Sequence, residues 1–87
     1  MLNNIDKITH QVLLCVASTL EIDPNQLNEH SSIGGVPEWN SLGHINIYFA
    51  LQEHFDISIS LESVGTVQSI ADWAEIILKT LIVKSES

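Results

Sequence analysis

The chain has 87 residues, Lys+Arg 3 against Asp+Glu 11 for a formal net charge of −8, and 45% of its residues from the hydrophobic set. That length excludes two domains and suits one small domain over residues 1–87, able to bury roughly 60–68% of its unfolded surface without a metal or disulfide staple. The apolar content excludes a disordered acidic tail, and the acidic balance disfavours nucleic acid and membrane surfaces while favouring basic protein partners.

Starting at Ile5, the residues Ile8, Val12, Cys15, Val16 and Leu20 share one face at helical spacing, while Lys7, His10, Gln11 and Ser18 face away; this predicts a first helix from Asn4 to Leu20. Cys15 lies in that stripe as a core residue. A lone cysteine forms no internal disulfide and fits a reducing, cytoplasmic setting. The run from Val12 to Ala17 behind Lys7 makes a poor signal-peptide core, since Asp6 adjoins the lysine and Leu14 precedes Cys15 where lipoprotein cleavage wants a small residue. No stretch approaches the roughly 18 apolar residues that span a bilayer.

Asp23-Pro24-Asn25 reads as a turn, and Leu27 and Ile33 are expected to reach the core from an otherwise polar loop that continues to Pro37. An apolar segment then runs without proline from Ser41 to Phe55, predicting a second helix buried on more than one side. Asp56 to Ser60 reads as extended loop, and Leu61 to Val64 as one helical turn that Gly65 ends. Thr66 is the expected N-cap of a last helix running from Val67 to about Leu81, with Ile70, Ala71, Trp73, Ala74, Ile77, Leu78 and Leu81 on its apolar face and 82–87 as a frayed tail. The whole reads as all-α, a small four-helix bundle with three long helices and a short third one.

Little in the chain suggests catalysis. The histidines at 10, 30, 44 and 54 share no three- or four-residue spacing that would put two metal ligands on one helical face. No nucleophile elbow, phosphate loop or dinucleotide fingerprint is present, so the chain reads as a protein handled by enzymes, with no catalytic or metal residues of its own. The informative segment is Glu38-Trp39-Asn40-Ser41-Leu42, where a serine opens an apolar helix directly after a Gly/Pro-rich loop. In one reading this serine is only a helix cap. In the other, its hydroxyl projects into solvent where an attached phosphate would meet free N–H groups and the positive end of the helix dipole.

The run Trp39-Asn40-Ser41-Leu42-Gly43-His44-Ile45 resembles the Asp-Ser-Leu motif of the acyl carrier protein family, including the peptidyl carriers. Ala50-Leu51, Phe55-Asp56, Thr66-Val67 and Asp23-Pro24 match the family at the expected distances, so the resemblance covers most of the chain. It implies a four-helix bundle of acyl-carrier type and a 4′-phosphopantetheine arm on Ser41, making the chain a cytoplasmic phosphoprotein that bears acyl or aminoacyl groups as thioesters. Implied partners are a phosphopantetheinyl transferase, an acyl or aminoacyl ligase, and downstream acyltransferase or condensing enzymes, each meeting a monomer. Trp39, Asn40, Leu42, His44, Asn46 and Tyr48 are the expected recognition residues, with core packing the alternative for Leu42 and Tyr48, and Ile45, Phe49, Ile59 and Val64 are the expected acyl pocket or core. Asn40 departs from the family's aspartate: it keeps a capping oxygen without the charge, and Glu38 is a nearby carboxylate. Of the expected outward positions Gly43, His44, Asn46, Gln52, Glu53 and His54, one is acidic, which favours a specialised biosynthetic pathway over housekeeping fatty-acid synthesis. The segment between Phe55 and Thr66 is shorter than in fatty-acid carriers, leaving less wall for a long acyl chain. The competing reading is an unmodified helical interaction module in which Ser41 serves only as an N-cap.

Overall fold

The apolar stripe beginning at Ile5 folds into α1 (Asn4–Leu20) in the computed structural model, which describes residues 4–86. Ile8, Val12, Val16 and Ala17 are buried, while Lys7, His10, Gln11 and Ser18 face solvent, as the helical spacing requires. Cys15 is half-buried, a correction to its core placement, because it sits at the edge of the stripe. Glu21 takes a left-handed conformation (φ 58), and the Ile22 N–H turns back to the Ala17 carbonyl at 3.0 Å, which ends the helix. A single 3-10 turn (Pro24–Gln26) follows, its Asn25 N–H held by the Asp23 carboxylate at 2.9 Å. Leu27 is buried and Ile33 packs on the core from the loop, as expected.

The long connection that follows is tied to the far end of the chain. Ile33 N–H donates to the Gln68 carbonyl at 2.9 Å, Ile70 N–H to Ser31 at 3.0 Å, and Ala71 N–H to Glu29 at 2.9 Å. Gly34, at φ +86 where a side chain is strained, then folds the backbone so that its N–H meets the Trp39 carbonyl at 2.8 Å. This turn delivers Trp39 to the core, fully buried, immediately before α2 (Ser41–Phe55) begins. At the other end of α2, Asp56 is left-handed (φ 53) and its carbonyl accepts from Lys84 Nζ at 2.6 Å.

Two expected boundaries are corrected. Helix α3 (Glu62–Thr66) runs through Gly65 instead of ending at it, and Val67 N–H closes the turn on the Ser63 carbonyl at 2.8 Å. Thr66 is therefore the last residue of α3, not the cap of the next helix. Helix α4 (Ile70–Glu86) begins where Ser69 and Asp72 cap it reciprocally: Asp72 N–H donates to Ser69 Oγ at 3.1 Å, and Ser69 N–H donates to the Asp72 carboxylate at 3.3 Å. The helix continues past Leu81 to Glu86, with Lys84 bonded to Asp56; the expected frayed tail is helical over 82–86, and Ser87 lies outside the described residues. The result is an all-α arrangement of three long helices and a short third one. Helix α1 packs against both α2 and α4, and Val12, Val16, Trp39, Ile47, Leu51, Ile70, Trp73 and Ile77 fill the space between them. Among the described residues, no helix is long and apolar enough to cross a membrane.

Candidate functional site

Asn40 enters α2 in an extended conformation, and its side-chain Oδ1 accepts the Gly43 N–H at 2.9 Å while its carbonyl accepts the His44 N–H at 2.9 Å. The N-cap is therefore Asn40. Ser41, the first helical residue, is exposed, and among the described residues no hydrogen bond engages its hydroxyl. This corrects the reading of Ser41 as the helix cap. The N–H groups of a helix's first turn have no intrahelical partners and lie at the positive end of its dipole, so the Ser41 hydroxyl borders a region suited to a phosphodiester.

The next residues divide α2 into two faces, and several expected placements are reversed. Gly43 is buried: a Cβ added there would lie 2.8 Å from the Glu38 carbonyl oxygen and 2.9 Å from Leu20 Cδ2, so this position admits only glycine without displacement. His44 and Trp39, expected at the recognition surface, are buried, and Tyr48 takes the core placement that was its alternative. Trp39 Nε1–H donates to His44 Nδ1 at 2.9 Å, which makes Nδ1 the acceptor and Nε2 the donor; Nε2 faces the carbonyls of Val67 at 2.8 Å and Val64 at 3.1 Å. Tyr48 O–H donates to the Ile59 carbonyl at 2.6 Å, and Ile59 N–H donates to Gln52 Oε1 at 2.8 Å. These polar side chains enter the interior because each finds a partner there, His44, Tyr48 and Gln52 on the backbone and Trp39 on His44.

Ile45 and Phe49, expected in the acyl pocket or core, instead stand at 42% and 61% exposure, and Leu42 at 68%. Spaced three and four residues apart, they form an apolar strip on the solvent side of α2, beginning one residue after Ser41. Asn40 and Asn46 are exposed, Ile59 is buried and Val64 half-buried. Leu61, a further exposed apolar residue just before α3, was not singled out by its pattern. The bonding of Gln52 was also missed; its four-residue spacing from Tyr48, itself four residues from His44, was the available signal.

Two grooves lie away from Ser41. One is lined by Ile57, Ile76 and Val83 with Lys79 and Lys84, and another by Leu14, Cys15, Thr19, Ala50 and His54. Burial pushes the Cys15 thiol above its ordinary pKa, against a smaller lowering from a hydrogen bond with Thr19. Among the described residues, no cluster of three or more His, Cys, Asp or Glu is arranged to hold a metal ion.

With this geometry in place, the solution NMR structure of a holo acyl carrier protein from Geobacter metallireducens superimposes with a TM-score of 0.76, covering 98% of this chain and 93% of that one at 24% identity. The chain has the acyl carrier protein fold. No protein-family model matches the chain, and no curated protein does. The fold likeness extends across all four helices, so the start of α2, where Ser41 stands, lies within the superimposed region.

Proposed function

We propose that the chain is a non-catalytic, monomeric, cytoplasmic carrier whose Ser41 bears a 4′-phosphopantetheine arm and presents acyl or aminoacyl thioesters to the enzymes of a specialised biosynthetic pathway. The observation that carries this reading is the separation of duties at the start of α2: Asn40 caps the helix, and Ser41 is left exposed with an unengaged hydroxyl. The acyl carrier protein fold of the whole chain supports it.

The residues present suit the arm. Ser41 Oγ would hold its phosphate through a phosphodiester, and the N–H groups of Ser41 and Leu42, which Asn40 does not engage, would face the phosphate oxygens. When bound, the arm supplies a thiol that forms thioesters. The chain's own part is to keep Ser41 clear of the bundle and to offer a docking surface beside it. That surface is the Leu42, Ile45 and Phe49 strip, exposed on α2, with exposed Asn40 and Asn46 beside it. Partners would be a phosphopantetheinyl transferase, a loading ligase, and acyltransferase or condensing enzymes.

Incubation of the chain with a broad-specificity transferase and coenzyme A tests the proposal. Intact mass is expected to rise by one phosphopantetheine, and peptide mapping to place it on Ser41, with Ser41→Ala unmodified yet melting as the parent does. An arm on Ser31 or Ser32, or no mass gain, would refute the assignment.

A further inference from the structure

Both flanks of α2 beside Ser41 are closed. On one flank, Gly43 lacks room even for a methyl group, with a Cβ there 2.8 Å from the Glu38 carbonyl oxygen and 2.9 Å from Leu20 Cδ2. On the other, three side chains four residues apart stitch α2 to the 59–67 segment. His44 bonds the Val67 and Val64 carbonyls at 2.8 and 3.1 Å, Tyr48 bonds the Ile59 carbonyl at 2.6 Å, and Gln52 accepts the Ile59 N–H at 2.8 Å. Behind this seam Trp39 and Trp73 are fully buried, their rings 6.0 and 5.4 Å from that of His44. A chain passing inward from Ser41 would have to part close-packed backbone at Gly43 or strand several buried polar groups along the seam, and both are strongly opposed.

We infer that cargo borne on Ser41 stays outside the bundle, so that this carrier serves short or polar acyl groups, aminoacyl groups among them, and not long alkyl chains that need shelter from water. The inference rests on the carrier reading and adds the class of cargo to it. A long alkyl chain kept outside would seek the apolar strip of Leu42, Ile45 and Phe49 and so compete with a docking partner for it. Short or polar cargo leaves that strip free.

The test loads the full chain with acetyl or octanoyl arms by a broad-specificity transferase, with intact mass recording transfer. Thioester hydrolysis at mildly alkaline pH is then compared with that of the same acyl-pantetheine free in solution, and the indole N–H resonances of Trp39 and Trp73 are followed. Each bound thioester is expected to hydrolyse at the rate of its free counterpart, with equal melting temperatures and unmoved indole resonances in the two loaded forms. A several-fold slowing specific to octanoyl, with shifted indole resonances, overturns the inference. Failure of transfer counts against the carrier reading alone, so the seam is also probed without the transferase. Ser41→Cys in a Cys15→Ser background is alkylated with ethyl- or octyl-iodoacetamide. Indole resonances indifferent to chain length support the closed seam, and movement with the octyl chain alone overturns it.

Discussion

Because Asn40 supplies the oxygen that the Gly43 N–H needs, Ser41 is left without a structural task, and the two residues answer differently to substitution. Asn40→Ala removes the cap and is expected to lower stability by about 1 kcal/mol. Asn40→Asp keeps the capping oxygen and adds charge at the positive end of α2, worth roughly 0.3–1 kcal/mol of stabilisation. Thermal melts of both variants check the signs. Asn40→Asp is also expected to raise the initial rate of arm transfer; an unchanged rate would mean that the existing loop, with Glu38, already satisfies the transferase. Cys15 marks the boundary between core and surface in the same way. Half-buried and with its thiol pKa raised chiefly by burial, it is expected to react with a polar alkylating reagent more slowly in the folded protein than in denaturant, and faster as pH rises. Since burial favours the protonated thiol, its contribution to stability is present below the thiol's ordinary pKa and fades at alkaline pH. Equal labelling rates in native and denatured protein would contradict the placement.

At the scale of the element, α2 is apolar on nearly every side, so its residue types do not tell which face is inward. Caps, breaks and polar partners decide it: Gly43 fits only against Glu38 and Leu20, and His44 and Tyr48 reach backbone acceptors, which turns Leu42, Ile45 and Phe49 out. The bounds of α1 and α2 were legible because an amphipathic stripe and an Asn-Ser entry after a Gly/Pro loop are local signals. The inward turn of Trp39 and His44 was not, because it depends on carbonyls 20 and 23 residues beyond His44, at Val64 and Val67. The start of α4 was misread for a nearer reason: Thr66 and Ser69 are both good caps, and only the Asp72 carboxylate three residues beyond Ser69 distinguishes them. The two faces of α2 predict opposite phenotypes. Leu42→Ala and Phe49→Ala are expected to leave the melting temperature nearly unchanged while slowing arm transfer or loading. Ile47→Ala, in the core, is expected to cost about 2–5 kcal/mol. His44→Ala belongs with Ile47, since it strands the buried Trp39 N–H, a loss of roughly 1–3 kcal/mol before any packing is counted. Thermal melts and transfer rates measured on the same four variants separate the faces, and a Phe49→Ala protein that unfolds as readily as Ile47→Ala would refute the division.

Across the whole molecule, the three lysines gather at the pole opposite Ser41. Lys7 lines a groove with Phe55 and Leu81, and Lys79 and Lys84 line another with Asp56 and Ile57, all beside the C-terminal end of α2. Ser41 opens that helix and Phe55 closes it, a separation of about 21 Å at 1.5 Å per residue. This exceeds the roughly 8 Å screening length at physiological salt, so the lysines do little to offset the acidic groups near Ser41. Those groups include exposed Glu38 in the preceding loop and exposed Glu21, which follows the Leu20 that packs on Gly43. On the proposed carrier role, a partner with a basic surface would be steered to the Ser41 pole, and the neutral, apolar strip of α2 would then govern close contact. The association rate with a basic transferase is expected to fall as salt rises, and Glu38→Gln to lower both that rate and its salt dependence. Lys7→Gln and Lys79→Gln, a screening length or more away, are expected to leave both unchanged. Stopped-flow association at several ionic strengths distinguishes the two poles: a response of equal size at Lys79 and Glu38 would mean that net charge alone, and not its placement around Ser41, draws the partner in.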